Sequence, residues 1–146
     1  MDRAASYFMP AEGLKVVAQR GSAALQAKVM AVLGDEYAAV RLRGEAWTLE
    51  REGRVIGVGG IEPIWPGRAA LWSYQADLSL GDWKRVLRLT RRRLAGAAFR
   101  RIEATADVDR PGAGAFLARL GFCQEGRLRA YGPGGETVDM WARVAR

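Results

Sequence analysis

The segment from Arg68 to Val108 most constrains what this chain can fold into. An extended run, RAALWSYQAD (68–77), is followed by residues Trp83, Val86, Leu87, Thr90, Leu94 and Ala97, which recur at helical spacing to about Phe99. A second extended run, RIEATADV (101–108), comes next. Apolar residues three and four apart define one buried helix face, and Ser79 or Asp82 supplies the N-cap. A strand, a helix of about eighteen residues and another strand make a crossover, so the two strands are expected to be parallel and the connection right-handed.

The rest of the chain reads as hairpins around that crossover. AWTLER (46–51) and RVIGVGGIEPIW (54–65) flank Glu52-Gly53, a hairpin signal. Trp65-Pro66-Gly67-Arg68 has the residues of a type II turn, which leads into 68–77 and completes a three-stranded meander. Near the C-terminus, ETVDMWARVA (136–145) alternates and is expected to pair with 122–131 across Tyr131-Gly132-Pro133-Gly134-Gly135. At the other end, LKVVAQR (14–20) reads as a first strand. Ser22 then caps a helix lined by Leu25, Val29, Val32 and Leu33, and DEYAAVRLR forms a second short helical or irregular segment before Gly44. The expected order is β-α-α-β-β-β-α-β-α-β-β, an α/β (α+β) single domain over 1–146 with a mixed, mostly antiparallel sheet of about seven strands.

Composition removes several chemistries. The chain has 146 residues, one cysteine and no histidine. One core is therefore expected, with no intramolecular disulfide, no Ser-His or Cys-His nucleophile and no metal site of the usual kind. No apolar run is long enough to cross a bilayer and no leader pattern is evident, so a reducing, cytoplasmic setting without membrane association is expected. A formal net charge of +7 favours a polyanionic ligand or partner, leaving phosphate-bearing cofactors and nucleic acid both open.

The stretch AFLARLGFCQEGRLRAYGPGG (115–135) holds a helix that stops at Leu120-Gly121-Phe122. With Gly121 in the left-handed C′ position, Phe122 becomes C″ and packs back on Leu117 at C3, a Schellman closure that aims the next strand at the sheet. Leu-Gly-Phe followed by Glu125-Gly126, within this element order, resembles the GCN5-related N-acetyltransferase (GNAT) superfamily. The resemblance is good over 44–146 and extends to 1–43 in element order only. The run WTLEREGRVIGVGGIEPIWPGRAALW is also similar to acetyltransferase-like proteins often encoded by bacteriophages.

The resemblance implies an N-acetyltransferase that binds acetyl-CoA where the fourth and fifth strands part, with the pyrophosphate at the start of the long helix. A helix N-terminus suits phosphate, since unpaired N–H groups and the dipole both favour anions. The corresponding segment supplies Asp77, Leu78, Ser79, Gly81, Lys84 and Arg85 as cofactor-binding candidates. It departs from the family's Gln/Arg-x-x-Gly-x-Gly/Ala pattern: only Gly81 remains, and Asp82 places a carboxylate where an anion is expected. Lys84, Arg85, Arg88, Arg91 and Arg92 lie opposite the apolar stripe as a solvated face, a set of CoA contacts or a nucleic-acid row. Trp83 lies on the apolar stripe and is expected in the core.

For catalysis the resemblance implies a tyrosine acid on the helix before Leu-Gly-Phe, but Leu117 occupies that position, and Arg110 stands where asparagine is frequent. Glu62, Glu103 and Asp77 are left as candidate bases, and Tyr131 or Tyr74 as proton donors; structural roles compete for each of them. Cys123 has no histidine to activate it. Two functions follow: acetyl transfer from acetyl-CoA to an amine acceptor, or a GNAT-fold protein whose site has decayed into a binding or virion-associated structural role. An exposed sheet edge leaves an oligomer open.

Overall fold

The computed structural model describes residues 15–18, 44–75, 78–132 and 134–146. The two helical segments expected within 22–43 lie outside the described residues. Seven strands, β1 (Lys15–Ala18), β2 (Glu45–Arg51), β3 (Arg54–Trp65), β4 (Arg68–Gln75), β5 (Arg101–Asp107), β6 (Cys123–Leu128) and β7 (Val138–Val144), alternate with helices α1 (Leu80–Ala95) and α2 (Pro111–Arg119). They form one sheet in the order β1-β2-β3-β4-β5-β7-β6. The chain groups into two compact units, one formed by 1–62 with 71–86 and the other by 63–70 with 87–146.

In the first unit, β1 pairs antiparallel with β2, and β2 with β3. Glu52 and Gly53 both have positive φ, 51° and 76°, as a type I′ hairpin requires, and this joins β2 to β3. Ala46, Val58 and Trp72 make a buried cluster with Val55 against it. Gly60 is fixed by that cluster: a Cβ there would lie 2.5 Å from the Glu45 carbonyl oxygen and 2.8 Å from the Trp72 ring. The close approach of backbone and indole leaves space only for hydrogen.

In the second unit, Gly67 has φ of 85°, the left-handed residue of the expected type II turn. β4 then pairs in parallel with β5 through Arg68–Ala70 and Arg101–Glu103. β5 runs antiparallel to β7 over its full length, and β7 to β6, so the C-terminal hairpin inserts its second strand next to β5. Buried Ile102, Ala104, Ala106, Leu117, Leu120, Phe122, Val138 and Ala142 supply the core. α2 approaches β7 at Gly114, where a Cβ would meet the Trp141 ring at 3.0 Å.

The closure of α2 is the expected Schellman motif. Gly121 has φ of 89°, the Phe122 N–H donates to the Leu117 carbonyl at 3.1 Å, and the Gly121 N–H donates to that of Ala118 at 3.1 Å. Glu125-Gly126 has its own geometry, because the β6 register shifts between Gln124 and Gly126 and Glu125 sits at the irregularity. One boundary is corrected: α1 ends at Ala95, not near Phe99. Gly96 is a poor helix residue, and Arg143 donates to the Leu94 carbonyl at 3.1 Å, satisfying a terminal acceptor that another turn would have used.

Candidate functional site

The N-terminus of α1 is built by two reciprocal hydrogen bonds. The Asp82 N–H donates to Ser79 Oγ and the Ser79 N–H donates to an Asp82 carboxylate oxygen, each at 3.2 Å. This is a capping box with aspartate in place of the more frequent glutamate, and it settles Ser79 as N-cap, not Asp82. The Trp83 N–H then donates to the Ser79 carbonyl at 3.0 Å, the first helical bond.

Asp82 does not stand in the path of an anion at this helix end. It is fully buried, and both carboxylate oxygens accept from the Arg51 guanidinium, whose side chain is only 2% exposed. The carboxylate expected to repel phosphate is thus turned inward and matched by a cation at the end of β2. Arg51 was not among the residues singled out by sequence, because a charged residue beside a hairpin turn reads as a surface position. The cap consumes the N–H groups of Ser79 and Asp82, leaving those of Leu80 and Gly81 without intrahelical acceptors on an exposed turn. Lys84 and Arg85 are exposed on the next turn, Leu78 is buried beneath and Trp83 is half-buried. Five of the six expected cofactor-binding residues therefore gather here; the sixth, Asp77, lies outside the described residues.

A second charged group occupies the other unit. Glu103, mostly buried on β5, accepts from Arg68 Nε at 3.1 Å and from Arg101 Nε at 2.9 Å. Arg101 reaches on to Glu125 with a bidentate pair at 2.9 and 2.6 Å. Burial pushes the Glu103 carboxyl up, but the hydrogen bonds from Arg68 and Arg101 outweigh it and hold the group below its ordinary range. Hydrogen bonds from Arg101 hold Glu125 low as well, and the same bonds raise Arg101. The irregularity at Glu125 gives Glu-Gly a purpose here, since it carries that carboxylate to Arg101.

Comparison by sequence finds no matching family model and no matching curated protein. Comparison of structures does find similar folds. The chain is similar to the spermidine/spermine N-acetyltransferase SpeG from Vibrio cholerae, with a TM-score of 0.69 and 14% identity over 92% of this chain and 94% of that one. It is equally similar to an IAA acetyltransferase from Bacillus cereus, with a TM-score of 0.69 and 17% identity over 90% and 100% of the two chains. RimL, a ribosomal-protein alpha-N-acetyltransferase in complex with coenzyme A, matches with a TM-score of 0.64 and 18% identity over 91% and 94%. The fold is that of the GNAT superfamily.

Within the GNAT fold the remaining candidates take separate places. Glu62 is buried near the end of β3 in the first unit, where Tyr74 is exposed on β4 with its ring 6.2 Å from that of Trp72. Glu103 belongs to the arginine network of the second unit. Tyr131 is 59% exposed in the β6–β7 connection, where its N–H donates to the Glu136 carbonyl at 2.9 Å. Leu117, expected from the resemblance to stand where the family has its acid, is buried as the C3 residue of the Schellman closure, and Cys123 is exposed. Among the described residues, no group of three or more His, Cys, Asp and Glu is placed to hold a metal ion, and no helix is long and apolar enough to cross a membrane.

Proposed function

We propose that this protein is a cytoplasmic N-acetyltransferase that takes its acetyl group from acetyl-CoA and gives it to an amine. The observation that carries the reading is the first turn of α1 on a GNAT fold, with a buried, charge-matched Asp82 and with Leu80 and Gly81 exposed, their N–H groups lacking intrahelical acceptors. Those amides would hold the pyrophosphate oxygens, helped by the helix dipole and by the cations of Lys84 and Arg85. Gly81 permits close backbone approach at the position where the family's glycines do the same. When bound, acetyl-CoA supplies an acyl carbon already activated for attack by its thioester.

The amine must lose a proton to react, and Glu62 is the carboxylate we assign to accept it, directly or through water. Glu103 is the weaker base, because two arginines favour its charged form. A second reading, a GNAT-fold protein that binds without catalysing, draws on Leu117, whose side chain closes α2 instead of offering an acid.

Thermal unfolding with and without acetyl-CoA tests the first step. Ligand at about a hundred times its dissociation constant adds about 2.7 kcal/mol of stability, which for this chain length raises the melting temperature by several degrees. Substituting Lys84→Gln and Arg85→Gln should reduce that shift. No shift at millimolar acetyl-CoA would end the acetyl-CoA reading. A shift without thiol release across an amine panel would select the second reading, whereas release that Glu62→Gln abolishes would support the first.

A further inference from the structure

We propose that the helices of the second unit carry a binding surface for the phosphate backbone of duplex nucleic acid, formed by Arg88, Arg91 and Arg92 of α1 and Arg119 at the end of α2. All four are exposed. Several arginines of this unit differ in how their charge is matched. Arg68, Arg101 and Arg127 on the strands are bound to Glu103, Glu125 and Asp139, whereas among the described residues Arg88, Arg92 and Arg119 take part in no ion pair. α1 and α2 together contain one acidic residue, Asp82, and it is buried against Arg51. An outward layer of cations with no exposed carboxylate on either helix is complementary to a row of phosphates.

The geometry within that layer is suited to a backbone. At about 100° per residue, Arg88, Arg91 and Arg92 share an arc of roughly 100°, and Arg88 and Arg92 are separated by about 6 Å of helical rise. Phosphates follow one another along a strand every ~3.4 Å of duplex axis, so this face spans about two of them. Arg91 Nη2 donates to the Arg119 carbonyl at 2.8 Å, which links the end of α2 to the stripe and still leaves Arg91 other donors. Guanidinium groups match phosphate oxygens bidentately.

The same face argues against two other polyanions. An anionic membrane would need apolar residues to insert beside the arginines, but Val86 and Leu94 are buried, Leu87 and Leu89 are half-buried, and Leu80, the exposed large apolar residue of α1, belongs to its first turn, eight residues before Arg88. A single strand would need exposed aromatic platforms, whereas Trp83 and Phe116, the aromatic residues of these helices, are half-buried.

Fluorescence anisotropy with a labelled duplex RNA of 20 base pairs, and with DNA of the same sequence, tests the surface between 50 and 200 mM salt. Four phosphates neutralised by Arg88, Arg91, Arg92 and Arg119 give a log–log slope near −3.6, about a 150-fold loss of affinity across that range. Both duplexes should bind. Each of R88Q, R92Q and R119Q should make the slope shallower by about 0.9, while the melting temperature stays unchanged and R54Q and R129Q, outside the two helices, have no effect. No saturable duplex binding at 50 mM salt would overturn the proposal, as would a slope unmoved by the three substitutions or tighter binding to phosphatidylserine vesicles than to either duplex. The readout does not involve acetyl-CoA, so it stands or falls apart from the transferase reading.

Discussion

Removing one member of the Arg51–Asp82 pair should cost far more than removing both. Arg51 is 2% exposed and Asp82 is fully buried, so neither charge can turn to water when its partner is lost. Breaking a buried ion pair from one side costs about 3–5 kcal/mol, a fifth or more of the roughly 5–15 kcal/mol by which folded proteins are stable. Asp82→Asn keeps a side-chain oxygen for the Ser79 N–H, so the cap survives and the charge effect is isolated. It leaves a guanidinium that cannot shed its proton. Arg51→Met leaves a carboxylate that can be neutralised by a proton, and it also deletes Arg51 Nε, a buried donor without a hydrogen-bond partner. Asp82→Asn should therefore be the more damaging single substitution. The double variant, with no buried charge, should be more stable than Asp82→Asn, which requires a coupling energy larger than the cost of Arg51→Met alone, about 3–5 kcal/mol, at or above the upper end for contacting residues. Urea unfolding at pH 7, followed by tryptophan fluorescence and circular dichroism, measures each variant, with equal slopes certifying a common unfolded state. Additive effects within about 0.5 kcal/mol would refute the view that these two charges are held by each other.

Two further predictions concern the second unit. Gly121→Ala forces a side chain into φ of 89° at a position where a Cβ meets nothing within 4 Å, so its cost, about 1–2 kcal/mol in urea unfolding, is purely conformational. An unchanged midpoint would mean that the closure is not held by glycine. Glu103 has its carboxyl lowered from an ordinary value of 4.5, so the unfolded chain takes up its proton first. Its contribution to stability is complete above 4.5 and is lost as pH falls through the lower folded value. Glu103→Gln should flatten that acid limb of the stability curve, and an equally steep limb in the variant would show that other carboxylates produce it.

The features legible in sequence were those set by backbone geometry. Gly67, the Glu52-Gly53 pair and Gly121 each occupy a conformation that other residues enter only at a cost, so the turns they mark could be placed within a residue or two. The crossover from β4 to β5 followed from the helical spacing of Val86, Thr90 and Leu94 between two short extended runs. The helix stop at Ala95 was less legible, because the side chain that helps to end it, Arg143, is 49 residues away from Leu94. Local periodicity contains no trace of such a partner.

Charge was the harder property to read, and Asp82 illustrates why. In sequence it is a carboxylate at a helix N-terminus that ought to receive phosphate, and simple repulsion argues against a ligand. In the fold it closes a capping box with Ser79 and faces Arg51, 31 residues earlier, so its charge is already matched on the inner side of the helix. The outer side keeps the Leu80 and Gly81 amides and the Lys84 and Arg85 cations. In the proposed function, the helix dispenses with a glycine-rich loop and receives an anion at its first turn because its one acid is buried with a partner. Arg51 is therefore the residue on which the reading of this site depends, although it touches no ligand in the proposed mechanism.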